Sequence, residues 1–178
     1  LMHAQTAQRT VAAAGVTDTD TVLEIGPGTG MLTRALLEKA GRVIAVEADH
    51  TLLEGLTETF AQEIAEGRLE LVSGDVRNFH IEQYLIGPRN RGSARRGEGG
   101  ERAVHSYVER GTEAPQQSNR DDFSGQYKLV ANIPYYITGE IIRQFLTATH
   151  KPASMTLLVQ KEVAVRIAVG EEGVLVDV

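Results

Sequence analysis

Four consecutive residues carry the strongest chemical signal in this 178-residue chain: Asn132, Ile133, Pro134 and Tyr135, directly after the apolar run 127–131 (YKLVA). An amide, a proline and an aromatic ring at the mouth of a buried strand suit a flat ligand that hydrogen-bonds along one edge. Pro134 locks its own φ and drives Ile133 towards an extended conformation, so the Asn132 amide and the Ile133 carbonyl are held in fixed directions. Both present hydrogen-bond acceptors, and Tyr135 adds a ring face beside them. Such a group can grip a planar base that carries an exocyclic amine. These four residues form the candidate catalytic set.

Three further stretches place chemistry at the ends of apolar runs. Residues 21–25 (TVLEI) lead straight into Gly26-Pro27-Gly28-Thr29-Gly30, followed by a helical pattern over 31–40. A strand, a glycine turn and a helix together surround a ligand with backbone N–H groups, and glycines let it approach the chain closely. The dinucleotide fingerprint G-x-G-x-x-G is not met, because Met31 or Thr33 stands where its third glycine should fall. A purely structural tight turn would use the same residues. Glu47 ends the run 42–49, where an acid can accept both hydroxyls of a ribose; a solvated strand-end carboxylate is the competing reading. Asp75 ends the run 68–75, where it can accept from the exocyclic amine of an adenine or simply cap a turn. With Asn132 on a fourth strand, Gly26, Gly28, Glu47 and Asp75 outline a nucleoside site beside a base site.

The elements that must position these residues follow from periodicity. Helical composition over 4–14 precedes the strand at 21–25; the helix over 31–40 has apolar residues at 32, 35, 36 and 40. A strand over 42–49, an amphipathic helix over 51–66 and a strand over 68–75 come next. After them come a strand over 127–132, a helix over 139–149, a strand over 154–160 and a helix over 161–169. Alternating strands and helices predict a mostly parallel sheet with helices on both faces and right-handed crossovers. Between Gly87 and Gly125 the periodicity disappears and Arg, Gly, Glu, Ser and Gln dominate, which predicts a solvated, flexible insertion at 87–125 in an otherwise single domain over 1–178. Tyr136, beside Tyr135, is expected to pack, with lining of the base pocket as the alternative; Phe145 and Leu146 are expected in the core.

EIGPGTG with Glu47, the Gly-Asp pair at 74–75 and the run N-I-P-Y-Y-I-T resemble the ribosomal RNA adenine N6-dimethyltransferase family, as does QKEVAVR at 160–166. The resemblance runs from about Leu1 to Arg166 and is interrupted by the insertion. It implies a Rossmann-like, class I S-adenosylmethionine-dependent methyltransferase fold and S-adenosyl-L-methionine as cofactor. In that family the first glycine, the acid after the second strand, the aspartate after the third and the Asn of the N-[IL]-P-Y motif contact the cofactor. Those roles would fall on Gly26, Glu47, Asp75 and Asn132. Leu1 takes, by spacing, the place of the last residue of the family's G-Q-N-F-L run, a further cofactor contact. The family's small helical C-terminal domain is missing from this sequence. Pro27, Thr29 and QKEVA at 160–164 resemble the branch acting on small-subunit ribosomal RNA more than the branch that dimethylates large-subunit RNA and confers macrolide resistance. A non-catalytic assembly or transcription-factor-like module on the same fold is a different class of reading, and the intact Asn132 and Tyr135 speak for the enzyme. Small-molecule and protein-glutamine methyltransferases prefer N-P-P-Y, against which Ile133 speaks.

Composition narrows the remaining classes. There is no cysteine, so disulfides, thiolate metal sites and cysteine nucleophiles are excluded. The five histidines are scattered without metal-ligand spacing, and no metal is expected. No apolar run approaches the ~20 residues of a membrane span, so a cytoplasmic protein without a membrane partner, expected to be a monomer, is the reading. The formal net charge of −6 means that an RNA partner, here the immature small ribosomal subunit, must be held by local patches or by parts outside this sequence.

Overall fold

The computed structural model describes residues 2–85 and 126–168; Leu1 and the expected insertion at 87–125 lie outside them. Five strands, β1 (Thr21–Ile25), β2 (Arg42–Glu47), β3 (Leu69–Ser73), β4 (Tyr127–Asn132) and β5 (Ser154–Leu158), form one sheet in the order β3-β2-β1-β4-β5. Every pairing is parallel. The helices are α1 (Ala4–Ala13), α2 (Met31–Leu37), α3 (His50–Thr59), α4 (Ala61–Ala65), α5 (Glu82–Leu85), α6 (Thr138–Thr147) and α7 (Lys161–Ala168).

The chain builds outward from β1 to β3, then returns to the other side of β1 for β4 and β5. That reversal opens a crevice at the carboxyl ends of β1 and β4, the place where ligands bind in open α/β sheets. Register sets what meets there. Ile25 pairs with Ala131 and Asn132 with Leu158, so the glycine turn, Asn132 and the end of β5 lie level on one rim.

The central strands are apolar on both faces because helices cover both. Val22, Val43, Ala45 and Val130 pack with Val11, Leu36, Leu53 and Phe60 on one side. Leu23, Ile44 and Leu129 pack with Tyr84, Ile141 and Phe145 on the other. Two adjustments separate the observed elements from the expected ones. The helix expected over 51–66 breaks at Phe60 (φ −114°, ψ 27°) into α3 and α4. Leu146, expected in the core, is 53% exposed, because the buried stripe of α6 runs through Ile141 and Phe145, four residues apart on one helix face.

The break at Phe60 bears on the glycine turn. Gly30 precedes α2 in the left-handed region (φ +82°), and a Cβ there would stand 2.6 Å from Phe60 Cε2 and 2.8 Å from Leu56 Cδ2. A left-handed conformation costs an L-residue roughly 1–2 kcal/mol, and overpacking a core typically about 1–3. Gly30→Ala is therefore expected to lower unfolding stability by about 3 kcal/mol, read from the urea midpoint; an unshifted midpoint would show that the turn yields freely.

Candidate functional site

A cavity of about 500 Å³ opens at the carboxyl end of β1. The glycine turn forms one wall through Gly26, Pro27, Gly28 and Thr29, and Met31 and Leu32 continue it into α2. Met2 and His3, just before α1, and Thr6, in its first turn, face them across the opening, and Asn132 and Leu158 close it from β4 and β5. The turn is tied at both ends: Gly26 N–H donates to the Val46 carbonyl (3.0 Å) and Gly30 N–H to the Pro27 carbonyl (2.9 Å). A Cβ on Gly26 would meet nothing within 4 Å, and one on Gly28 only the Gly26 carbonyl at 4.0 Å. The space beside the turn is therefore open, and only glycine leaves the backbone exposed to whatever fills it.

Glu47 is buried at the end of β2, where it organises the rim. Its Oε2 accepts from Gly28 N–H (3.1 Å), and Oε1 accepts from Ala48 N–H (2.9 Å) and Asp49 N–H (3.0 Å). This differs from a solvated strand-end carboxylate. Gly28 holds a left-handed φ of +59°, which aims its N–H at that carboxylate. Oε2, with one bond made, keeps capacity to accept from a ligand hydroxyl. Glu47 does not itself line the cavity; it stands behind the turn that does.

Asp75 is seen in the capping role, one of the two readings weighed for it. It precedes the short 3₁₀ turn Val76–Asn78 and accepts from Arg77 N–H at 2.9 Å, a cap. The Arg77 guanidinium also pairs with both carboxylate oxygens and holds the carboxyl below its ordinary value. Its side chain remains about one third exposed, at 36%. Asp75 lines neither this cavity nor the neighbouring one.

The second cavity, of about 460 Å³, is lined by Asn132, Ile133, Pro134, Tyr135, Leu158, Val159 and Gln160. All four residues of the candidate catalytic set thus face one space. Asn132 and Leu158 line both cavities and form the boundary between them. Ile133 is buried, and its N–H donates to the Leu158 carbonyl at 3.3 Å. The Pro134 carbonyl accepts from Ile137 N–H (3.2 Å) and from Thr138 Oγ1 (3.1 Å), so the turn leading into α6 is pinned from below. The Asn132 side chain is exposed and makes no hydrogen bond among the described residues. Tyr135 is 62% exposed. Tyr136, expected to pack, is 73% exposed: it sits in the turn between β4 and α6, which carries its ring outward.

Several lining residues were not singled out from the sequence. Leu158 had a signal, since an apolar strand end beside β4 must reach the same rim. Met2, His3 and Thr6 had none, because the packing of α1 on α2 places them. Glu24 was also missed. It lies in β1, two residues before the glycine turn, wholly buried, and neither carboxyl oxygen has a hydrogen-bond partner among the described residues; nor does the Thr33 hydroxyl. Burial pushes its carboxyl up to about 8; the nearby Thr33 hydroxyl offsets part of the rise and the Glu47 charge adds to it. Glu24 is thus mostly neutral at pH 7. Among the described residues no cluster of His, Asp or Glu could hold a metal ion, and no helix is long and apolar enough to cross a membrane.

The family is shown by comparison with known sequences. The family model described as ribosomal RNA adenine dimethylase matches residues 1–172. A ribosomal RNA small subunit methyltransferase A from Dehalococcoides mccartyi (strain BAV1) is 39% identical over 167 residues, 93% of this chain and 44% of its own length. One of the same name from Caulobacter vibrioides is 35% identical over 167 residues, 94% of this chain and 49% of its length. The chain therefore spans about half the length of the curated relatives it matches. The crystal structure of a dimethyladenosine transferase from Plasmodium falciparum superposes with a TM-score of 0.61 at 24% identity, covering 94% of this chain and 46% of that one. The sheet order, the glycine turn at its switch point and these matches establish a Rossmann-like class I methyltransferase fold, and the chain belongs to the ribosomal RNA adenine dimethylase family.

Proposed function

We propose that this chain is the catalytic part of an S-adenosyl-L-methionine-dependent enzyme that dimethylates adenine N6 in small-subunit ribosomal RNA, with the immature small subunit as its partner. One observation carries the reading: Asn132 and Leu158 line both cavities, so a donor in one and an acceptor in the other would meet at Asn132.

The residues of the first cavity fit the cofactor. Gly26 and Gly28 leave the backbone open to it; behind the turn, Glu47 Oε2 keeps capacity to accept from a ribose hydroxyl beside its bond from Gly28 N–H, and Asp75, outside the cavity lining and paired with Arg77, would accept from the adenine amine at its part-exposed carboxylate. Bound there, S-adenosylmethionine supplies an electrophilic methyl group. Leu1, a cofactor contact by resemblance, lies outside the described residues.

The second cavity prepares the acceptor. The lone pair of adenine N6 is delocalised into the ring, so N6 is a weak nucleophile. Acceptance of its two N–H groups by Asn132 Oδ1 and the Ile133 carbonyl orients the amine and draws it towards a pyramidal geometry. The lone pair then points across Asn132 into the first cavity. Pro134 restricts the backbone at Ile133 and so the direction of its carbonyl, and the bonds from Ile133 N–H to Leu158 and from Thr138 to Pro134 keep the turn from relaxing. Tyr135 offers a stacking face for a base that has left its helix, a cost least in RNA loops. Alignment supplies most of the acceleration. The N-methylated ammonium that forms is strongly acidic, so no strong general base is required.

The test is label transfer from the methyl-labelled cofactor to ribosomal particles lacking the modification, followed by mass mapping of the RNA. N6,N6-dimethyladenine in small-subunit RNA is the expected product. Label confined to large-subunit RNA would move the protein to the other branch, and cofactor binding without any transfer would make it a docking module.

A further inference from the structure

Tyr135 and Tyr136 are the two most exposed large apolar side chains among the described residues, and they are neighbours. Their ring centroids are 5.7 Å apart and their planes are perpendicular. An edge-to-face pair of this kind is a favourable aromatic contact, so the two rings hold each other in place. Perpendicular planes have a consequence for ligands. A planar base can lie parallel to one ring or to the other, but not to both. If the base that enters beside Asn132 stacks on Tyr135, the Tyr136 face is left over, at 73% exposure. A ring so exposed gains nothing from the core, and Ile137 and Thr138, the next residues, already anchor the turn.

Resting on the acceptor role given to Asn132 and Tyr135, we propose that Tyr136 is a second stacking platform. It takes the unpaired nucleobase next to the target adenine in the same RNA strand, so that the site reads a splayed dinucleotide rather than a single flipped base. The spacing suits this occupant: two adjoining residues with rings at right angles match two adjoining bases that no longer stack on each other.

The experiment is a coupling test in the full-length protein. The substrate is an RNA stem-loop carrying the target adenine, intact or with an abasic residue placed immediately 5′ or 3′ of it. Stacking of one base on an aromatic ring is worth a factor of about 5 to 140 in affinity. Tyr136→Ala is expected to raise KM for the intact RNA by such a factor, to leave cofactor affinity unchanged, and to be restored by Tyr136→Phe. The abasic RNA at one of the two positions should bind the original protein as weakly as Tyr136→Ala binds intact RNA, with no further loss when the two changes are combined. Additive losses at both positions, or an unchanged KM in Tyr136→Ala, would overturn the proposal. Tyr135→Ala serves as the reference: if it too leaves transfer unaffected, the acceptor role of the Asn132–Tyr135 turn fails, whereas a defect in Tyr135→Ala alone rejects only the second platform.

Discussion

Replacing Asn132 by alanine is expected to lower the methyl-transfer rate by about 10²–10³-fold while cofactor affinity falls far less. The magnitude is that of removing one fixed hydrogen-bonding group from the position where the reacting atom is held. Nothing in the fold depends on the side chain. It is exposed, it makes no hydrogen bond among the described residues, and the β4 ladder runs through backbone atoms that alanine keeps. Its only neighbours of consequence are the two cavities it separates. Thermal unfolding of the variant should therefore match that of the parent, and saturating cofactor should not restore the rate. Near-parental transfer by Asn132→Ala would remove the side chain from the chemistry and leave the Ile133 carbonyl as the sole acceptor.

Glu24→Gln is expected to change how stability responds to pH. Glu24 has an ordinary value of 4.5 and is pushed up to about 8 by burial in β1. A carboxyl raised in the folded state binds more protons there than in the unfolded chain. The stability it permits is present at low pH and is lost as pH rises through the window from about 4.5 to about 8. Across that window the parent should lose up to roughly 1.4 kcal/mol per pH unit relative to Glu24→Gln, which cannot ionise. Urea unfolding of both proteins at pH 5 and pH 8 reads the difference. Titrating groups other than Glu47, whose charge acts on Glu24, are common to both and cancel. Parallel profiles would mean that Glu24 titrates at an ordinary value, with solvent or a partner reaching its carboxyl.

Much of this architecture is legible in the chain, and the reasons are local. TVLEI and RVIAVE read as buried strands because helices on both faces demand near-continuous apolar runs, and the glycine turn between a strand and a helix announces the switch point. Glu47 and Asp75 are visible as strand-end acids, but what they bond to is not. Glu47 gathers three backbone N–H groups from both sides of the rim, which depends on the left-handed φ of Gly28, and Asp75 meets Arg77 through a 3₁₀ turn with no periodicity to reveal it. Glu24 was hidden by its own strand: one acid in an apolar run does not disturb the pattern, and only the sheet order shows that β1 is central and offers no water. Tyr136 was expected to pack from its place beside Tyr135, whereas the turn after β4 decides which way the ring faces. The wall made by Met2, His3 and Thr6 depends on contacts between α1 and α2, which no local spacing encodes.

In the proposed mechanism donor and acceptor occupy adjoining cavities and meet at Asn132. A crystal structure of the full-length protein with S-adenosylhomocysteine and an RNA containing the target adenine tests it most directly. The cofactor product is expected against Gly26 and Gly28, and the adenine within hydrogen-bond reach of Asn132 Oδ1 and the Ile133 carbonyl, its N6 facing the sulfur. An adenine bound elsewhere, with the cavity beside Asn132 to Tyr135 empty, would contradict it.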